Sequence, residues 1–290
     1  MKKIIKKILQ KFFFKILASV ELSENLSSYI YSLTEKPIAD ANTYIKLAKE
    51  AQKNTFSFYE VDEFEKTTGI SINKDWLNQL GLITQVVIKK SPLNYAHGRI
   101  LYSALRHYLK HQVKDSKSVN IIETGTARGY SSLCMAKALS DSKFEGSICT
   151  IDVLPHYKKM FWNCSADHTT GKQTRQNLLS DWADLTERYI IFIQGFVKHI
   201  LPKISLTRIH FAFLDGAHTY EDVLFEFNNI SKCQKDGDII VFDDYNERDF
   251  PGIVKAVNYI GSKMNYSIKL VQNKNTLRDY VIAKKTAIKD

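Results

Sequence analysis

Apolar and polar positions alternate along this chain in two different ways, and the pattern changes before the middle of the sequence. In the first part, apolar residues recur every three to four positions over Ala39–Gln52 and Leu93–Lys110, a spacing that predicts amphipathic helices. Pro37 and Pro92 precede these segments and predict where the helices start. The pattern therefore predicts a helical region over residues 21–115.

After a polar linker at Lys114–Ser118, short apolar runs alternate with helical segments. The runs predict strands at Val119–Glu123, Ser147–Asp152, Tyr189–Gln194, Ile209–Leu214, Asp238–Phe242, Tyr266–Val271 and Arg278–Ala283. The segments between them predict helices at Ser131–Leu139, Thr174–Glu187, Tyr220–Cys233 and Ile253–Lys263. This alternation is typical of an α/β fold with a doubly wound, Rossmann-like and mostly parallel sheet, which we place in a domain over residues 116–290. Because no helix separates the last two strands, we expect them to form an antiparallel hairpin.

Composition narrows the class of protein further. A hydrophobic share of 44% and an aromatic share of 12% favour a sizeable core and exclude a disordered chain. The four cysteines are widely spaced without a C-x-x-C pair, which argues against a zinc ribbon or a disulfide scaffold and favours a reducing compartment. No apolar run approaches the roughly 18 residues that span a bilayer. We therefore expect a cytoplasmic protein.

The net charge of +10 comes largely from one end of the chain. Residues 1–15 hold six lysines and no acidic residue, and their apolar positions recur at helical spacing. This predicts a basic amphipathic helix over residues 1–20. Its apolar stripe either packs on the protein core or, through residues 1–17, contacts the inner membrane surface peripherally. No DNA- or RNA-binding motif accompanies the charge, so we expect no nucleic-acid partner.

Candidate chemistry lies where the predicted strands end, because ligands of such sheets bind beyond the carboxyl ends of the strands. The first strand leads into Glu123-Thr124-Gly125-Thr126-Ala127-Arg128-Gly129, followed by a helix from Ser131. Glycines there allow a tight turn and the close approach of a ligand to the backbone. Tyr130 stands where a dinucleotide fingerprint needs a small residue, which disfavours an NAD-dependent enzyme.

The second and third strands add polar groups to the same edge. Asp152 ends the second strand, where its carboxylate is suited to accept hydrogen bonds from ribose hydroxyls. Gly195 follows the third strand and predicts a turn into a helix. Between them lies the long segment Leu154–Arg188, whose first half, ending at Thr169-Thr170-Gly171, predicts a lid. Arg175 follows at the start of a predicted helix, where it is a candidate to meet an acidic group. Tyr95-Ala96-His97-Gly98 is a second candidate contribution to that lid.

The first half of this segment mixes aromatic and polar side chains. They are Pro155, His156, Tyr157, Trp162, Asn163, Cys164, Asp167 and His168. The spacing of the cysteine, histidines and aspartate matches no standard zinc site, so we do not expect zinc.

The fourth and fifth strands both run into acidic residues, Asp215 after the fourth and Asp243-Asp244 after the fifth. Three carboxylates at neighbouring strand ends repel one another unless they share a cation or a proton. Their oxygen ligands suit Mg²⁺, Mn²⁺ or Ca²⁺, and two unrelated strand-end caps are the alternative. His218 follows the first of these acids by three residues and is a candidate base at neutral pH, with Asp215 itself as the competing base.

These motifs resemble a known family. The acid-x-Gly-x-x-x-Gly pattern at 123–129 resembles motif I of class I S-adenosylmethionine-dependent methyltransferases, and Asp152 matches the family's ribose-binding acid. Asp-Gly-x-His-x-Tyr at 215–220, with Asp-Asp-Tyr at 243–245, is similar to the metal-dependent sugar and macrolide O-methyltransferase branch. The catechol O-methyltransferase group has asparagine at the position of Asp244 and lysine at that of His218.

The resemblance implies an S-adenosylmethionine-dependent O-methyltransferase that uses Mg²⁺ or another hard divalent cation. It implies cofactor binding by Glu123, Gly125, Thr126, Ala127, Gly129, Ser131, Asp152, Gly195 and Asp215, and metal binding by Asp215, Asp243 and Asp244. The implied acceptor is a hydroxyl of a sugar or of a small glycosylated natural product. An enzyme of this fold with other chemistry, as in hydroxylase-like relatives, remains an alternative, as does a non-catalytic membrane-associated binding protein. Assembly into a homo-oligomer is left open.

Overall fold

The computed structural model of the chain describes residues 36–89, 91–113, 117–272 and 279–287. The basic segment predicted over residues 1–20 lies outside these ranges. No helix within them is long and apolar enough to cross a membrane.

Helices are the only regular secondary structure among the described residues before the sheet. They are α1 (Ala41–Phe56), α2 (Tyr59–Thr68), α3 (Lys74–Thr84) and α4 (Ala96–Gln112). The helical character predicted for this region is confirmed, but Pro37 and Pro92 do not mark the starts. Helix α1 begins after Asp40, whose side chain accepts a hydrogen bond from the Thr43 N–H at 2.8 Å and so caps the first turn.

Seven strands within the described ranges form one sheet. They are β1 (Ser118–Thr124), β2 (Glu145–Asp152), β3 (Ile190–Gln194), β4 (Phe211–Leu214), β5 (Ile239–Tyr245), β6 (Tyr266–Val271) and β7 (Asp279–Lys285). Their spatial order is β3-β2-β1-β4-β5-β7-β6. The pairs among β1 to β5 are parallel, whereas β7 runs antiparallel to both of its neighbours. The predicted mixed sheet with a terminal antiparallel hairpin is confirmed.

The helices between the strands cover both faces of the sheet. They are α5 (Tyr130–Asp141), α6 (Ala166–Thr169), α7 (Arg175–Leu178), α8 (Ala183–Tyr189), α9 (Val197–Ile200), α10 (Tyr220–Ser231) and α11 (Pro251–Lys263). The single helix predicted over Thr174–Glu187 is wrong. It breaks into α7, a 3₁₀ turn at Ser180–Trp182 and α8, because a bond from the Trp182 N–H to the Leu179 carbonyl tightens the turn and directs the indole into the core.

Alternate residues of the strands feed two separate apolar cores. One face, with Ile121 and Phe213 among its residues, packs against α5, α8 and the N-terminal helices, so α1 to α4 share a core with the sheet. The other face, with Ile122 and Leu214, packs against α10 and α11. This three-layer arrangement leaves the carboxyl ends of the parallel strands as an accessible edge.

Candidate functional site

The carboxyl ends of β1, β2, β4 and β5 meet where the strand order reverses, between β1 and β4. Ligands of doubly wound sheets bind at this position. We call residues 123–131 with 152–154 the β1–β2 side, and residues 215–218 with 243–245 the β4–β5 side. The two sides touch at Gly125, because a Cβ added there would lie 2.4 Å from the Asp215 carbonyl oxygen. Gly125 also has a φ of 91°, which favours glycine.

The loop after β1 is held in an unusual backbone conformation. Ala127 has a φ of 47°, in the left-handed region that costs a residue with a Cβ about 1 kcal/mol. Its N–H donates to Asp152 Oδ2 at 2.6 Å, and its carbonyl accepts from Arg175 Nε at 3.0 Å. Gly129 follows with a φ of 92° and begins helix α5. Side chains from elsewhere in the fold therefore set the shape of this loop.

Glu123 lies entirely inside the protein, beneath the loop. Its carboxylate accepts hydrogen bonds from the hydroxyls of Ser131, Ser132 and Thr150, and Thr126 shares a 2.5 Å hydroxyl contact with the same Thr150. Burial raises the pKa of Glu123, and the three hydroxyl donors oppose that rise. The predicted cofactor residues Glu123, Thr126 and Ser131 thus form a hydrogen-bonded support under the loop.

Asp152 is placed at the predicted edge, with its carboxylate directed toward the loop. Oδ1 accepts from the Leu154 N–H at 2.7 Å while Oδ2 binds Ala127. Burial raises the pKa of Asp152, and the nearby positive charge of Arg175 opposes this effect. The Gly195 N–H donates to the Asp152 carbonyl at 2.8 Å, and the predicted helix start after Gly195 is confirmed by α9.

A cavity of about 550 Å³ opens at the carboxyl end of β3, where Gln194 pairs with Asp152 of β2. Its lining includes His156, Tyr157, Arg175, Phe192 and Gln194. The rings of His156 and Phe192 stack at 4.1 Å with 19° between their planes. Burial, followed by the charge of Arg175, lowers the pKa of His156 to about 4, so this imidazole is neutral at neutral pH. The cavity therefore combines flat aromatic surfaces with the positive charges of Arg175 and Lys158.

On the β4–β5 side, Asp215, His218 and Asp244 each offer one possible ligand atom to a shared group. These atoms lie within 4.8 Å of one another, and all three side chains are partly exposed. His218 Nε2 is 3.4 Å from Asp244 Oδ2, and the imidazole stacks on Phe250 with 4.5 Å between ring centroids. Across the described ranges, this is the sole group of three or more acids, histidines or cysteines that could hold a metal ion.

The metal-ligand set predicted from the sequence differs from this group in one member. Asp243 is not among the three side chains, although β5 runs through both Asp243 and Asp244 to Tyr245. Asp243 is buried, and its Oδ1 accepts a hydrogen bond from the Asp244 N–H at 2.7 Å. An irregularity between Phe242 and Tyr245, with Asp244 at a φ of 53°, re-aims that side chain toward Asp215.

The donor set fits a divalent cation. Two carboxylates within reach of each other repel unless a positive charge lies between them. Hard cations such as Mg²⁺ are held by one or two protein carboxylates, with water or substrate oxygens completing the shell. Asp215 and Asp244 supply that pair, and His218 lies beside them as a third ligand or as a neighbouring base.

Other features of the site were not predicted from the sequence. Gly252, at the start of α11, packs so closely that an added Cβ would lie 2.4 Å from the His218 carbonyl oxygen. Phe250 and Gly252 therefore fix the turn that carries His218. Pro251-Gly252 at a helix start was the available signal, because such a pair favours a tight approach of backbone to backbone.

The predicted lid is connected to the N-terminal helices. Asn163 accepts hydrogen bonds from the Tyr44 hydroxyl at 2.9 Å and the Ile88 N–H at 3.1 Å, and donates to the Ile88 carbonyl. His168 Nε2 contacts the Ala39 carbonyl oxygen at 2.5 Å. Helix α1 and the residues that flank α1 and α3 thus support the segment that covers the β1–β2 side.

The lid contribution predicted for Tyr95-Ala96-His97-Gly98 is wrong. All four residues are buried where α4 meets the sheet. The His97 ring lies 4.7 Å from that of Tyr130, and the absence of a side chain at Gly98 makes room for the Tyr130 hydroxyl. Tyr130, which the sequence marked only as too large for a dinucleotide fold, fills the space between α4 and α5.

Comparisons with known proteins agree with this geometry. Residues 122–245 match a family described as a methyltransferase domain. No curated protein sequence matches the chain. The fold is similar to that of the O-methyltransferase TomG from Streptomyces achromogenes, involved in tomaymycin synthesis and solved with S-adenosylmethionine. That chain is 16% identical, with a TM-score of 0.51, and the alignment covers 78% of this chain and 95% of TomG.

Two further solved structures give the same result. An O-methyltransferase from Bacillus cereus, in complex with S-adenosylhomocysteine, is 16% identical with a TM-score of 0.51, over 78% of this chain and 97% of that one. The O-methyltransferase NovP is 15% identical with a TM-score of 0.52, over 73% of this chain and 98% of NovP. At these identities the likeness establishes the fold.

Proposed function

We propose that this chain, whose residues 122–245 match a methyltransferase domain family, methylates a hydroxyl of a sugar or small glycosylated natural product. The methyl donor is S-adenosylmethionine, and a divalent cation assists. The observation that carries the proposal is the pairing of a glycine loop held by Asp152 with a cluster of two acids and a histidine across the meeting point of the strands.

The β1–β2 side suits the donor. The loop at 125–129 brings backbone close to a ligand, and Asp152 retains acceptor capacity on both oxygens for the ribose hydroxyls. The adjoining cavity offers the stacked rings of His156 and Phe192 to a flat, uncharged purine. The neutral state of His156 favours this contact, because it adds no charge to a site that already holds Arg175.

The β4–β5 side suits the acceptor. Asp215 and Asp244 would hold a divalent cation, which when bound supplies a Lewis acid that lowers the pKa of the acceptor hydroxyl. His218 accepts the proton of the acceptor hydroxyl. The hydroxyl oxygen then bonds to the methyl group as the bond from that methyl to the sulfonium breaks, which leaves S-adenosylhomocysteine. Asp244, 3.4 Å from His218 Nε2, stabilises the imidazolium that forms. The missing side chain at Gly125 lets the two sides pack in direct contact. This contact fixes the donor and the acceptor relative to each other.

The acceptor class rests on the Asp-Gly-x-His-x-Tyr and Asp-Asp-Tyr motifs. The similarity of the fold to natural-product O-methyltransferases such as TomG supports it. Membrane contact through residues 1–17 stays a proposal for a segment outside the described residues.

The test of the donor is calorimetric titration of S-adenosylmethionine into the protein. Asp152→Ala removes the ribose acceptor and is expected to weaken binding by at least about tenfold. Asp238→Ala is the matched control, because Asp238 is an equally buried acid that binds Tyr108 and Arg208 far from this edge. An unchanged affinity in Asp152→Ala, or no binding by the wild type, would contradict the proposal.

The test of the reaction is transfer of a labelled methyl group to a panel of hydroxylated sugars and glycosides. His218→Gln is expected to abolish transfer while leaving the affinity for Mg²⁺ within about threefold, since Asp215 and Asp244 remain. Loss of Mg²⁺ binding in this variant would instead make His218 a ligand. Donor binding without transfer to any hydroxyl would favour the alternative of a related fold with other chemistry.

A further inference from the structure

Arg175 is a buried cation that contacts the β1–β2 side. It is 2% exposed. Its Nε donates to the Ala127 carbonyl at 3.0 Å, and Nη2 lies 3.4 Å from the Leu154 carbonyl oxygen. The guanidinium also lies 5.6 Å from the ring centroids of both Trp162 and Phe192. One side chain therefore joins the loop after β1, the segment after β2 and the aromatic surface of β3.

The contact with Ala127 is the one that bears on binding. Ala127 is left-handed, so its peptide groups keep their orientation only while something holds them. Asp152 holds the N–H and Arg175 holds the carbonyl. Without the guanidinium, one of these two restraints is lost and the backbone is free to relax toward a less strained conformation.

The reach of Arg175 depends on the position of the lid segment. Its own N–H donates to the His156 carbonyl at 3.0 Å, so the guanidinium reaches Ala127 only when the two ends of the segment between Leu154 and Arg175 are together. A second contact runs the other way, from Arg128 Nε in the loop to the Trp162 carbonyl in the segment, at 2.5 Å. Thus one arginine of the loop binds the segment, and one arginine of the segment binds the loop.

We propose that Arg175 is a positioning residue for the methyl donor, which couples closure of the lid segment to the binding-competent shape of the loop at 125–129. This inference rests on the proposed function, since it presumes that the loop receives S-adenosylmethionine. The positive charge beside Asp152 adds to the effect, because it favours the carboxylate that is to accept the ribose hydroxyls.

The test compares two conservative variants in the full chain, Arg175→Lys and Arg99→Lys. Both arginines are 2% exposed, and both variants keep a positive charge while losing the planar guanidinium. Arg99 binds Asp62 and Glu65 in the N-terminal helices, so Arg99→Lys controls for a loss of stability alone. Calorimetry with S-adenosylmethionine and with S-adenosylhomocysteine is the readout, beside the melting temperature of each variant.

We expect Arg175→Lys to lower the affinity for both ligands by roughly tenfold. We expect Arg99→Lys to change neither affinity by more than about twofold, whatever its melting temperature. In Arg175→Ala, methylguanidine is expected to restore part of the affinity, which a merely loosened fold would not show. If wild type binds the donor and Arg175→Lys binds equally well, the positioning role is overturned. If wild type does not bind, the proposed function fails instead.

Discussion

At the ends of β1 and β2, both acids are buried and bound by neighbouring donors, whereas at the ends of β4 and β5 two acids and a histidine face one another partly exposed. Glu123 has three hydroxyl donors and Asp152 has two backbone N–H donors before any ligand arrives. Asp215 and Asp244 instead approach each other. The first side is shaped in advance to bind, and the second is a set of charges that a cation would complete.

Under the proposed function, this contrast assigns two tasks to one sheet edge. Recognition of a fixed ligand gains from donors and acceptors that are already oriented, because ordering them costs nothing at the moment of binding. Acid–base and metal chemistry needs groups that can change protonation or accept a new ligand, so they stay partly open to solvent. The two arrangements meet at Gly125.

A side chain added at Gly125, where the two sides meet, should have the largest effect on stability and on donor binding. In Gly125→Ala the Cβ would lie 2.4 Å from the Asp215 carbonyl oxygen, so the loop and the turn must separate. We expect a loss of about 3 kcal/mol or more in the free energy of unfolding and no measurable binding of S-adenosylmethionine. Urea denaturation and calorimetry measure the two effects.

Gly171→Ala is the matched control. Gly171 has a φ of 72° but has no atom within 4 Å of the added Cβ, so only the backbone cost of about 1 kcal/mol applies. Equal losses in the two variants would mean that the close contact between the sides is not what constrains Gly125.

The next effect concerns Glu226, a buried acid of α10 whose partner, Thr124, ends β1 just before Gly125. Glu226 accepts a hydrogen bond of 2.7 Å from the Thr124 hydroxyl, and burial raises its pKa from 4.5 to about 7. The folded state therefore binds a proton that the unfolded state releases. The contribution of Glu226 to stability is full below about pH 4.5 and is lost as the pH rises through about 7, by up to about 3 kcal/mol.

Glu226→Gln keeps the shape and cannot ionise. Urea denaturation from pH 4.5 to 8 measures the free energy of unfolding of wild type and of Glu226→Gln. The stability of wild type relative to Glu226→Gln is expected to fall as the pH rises. Taking this difference cancels the same-signed contributions of Glu123 and Asp152, whose pKa values burial also raises. A difference that does not change with pH would show that Glu226 is not protonated in the folded protein at pH 5 to 6.

A smaller effect separates the two adjacent acids of β5. Asp244→Asn is expected to weaken Mn²⁺ or Mg²⁺ binding by about tenfold, or about 1.4 kcal/mol, because it removes a charged member of the group with Asp215. Asp243→Asn is expected to change that affinity by less than about threefold, since Asp243 is buried and binds the Asp244 N–H. Isothermal titration with the metal alone measures both. Comparable losses in both variants would restore the ligand set predicted from the sequence, and a loss confined to Asp243→Asn would contradict the group described here.

Periodicity alone made most of the fold predictable. All seven strands, their mostly parallel arrangement and the terminal hairpin could be predicted, because buried strands read as apolar runs and an intervening helix imposes a crossover. The placement of Asp152 and Asp215 at one edge was predictable for the same reason, since parallel strands all end on the same side.

The predictions that failed depended on local geometry or on distant contacts. The choice between Asp243 and Asp244 is made by an irregularity in β5 that no spacing rule records. The break at Ser180–Trp182 results from a core position for Trp182 that helical periodicity alone does not reveal. The burial of Tyr95 to Gly98 depends on Tyr130, whose hydroxyl donates to the Tyr95 carbonyl from a different helix. The contacts of Trp182 and Tyr130 involve partners that are remote in the chain.

The position of β7 affects how the protein is made. Of the seven described strands, β7 comes last in the sequence, yet it lies inside the sheet, between β5 and β6, and pairs with both. Until residues 279–285 leave the ribosome, the edge of β5 next to Asp243 and Asp244 has no neighbour on that side. A nascent chain therefore completes the pairing of the strand that carries Asp243 and Asp244 only after β7 has emerged, and a chaperone that shields an open strand edge would act before that moment.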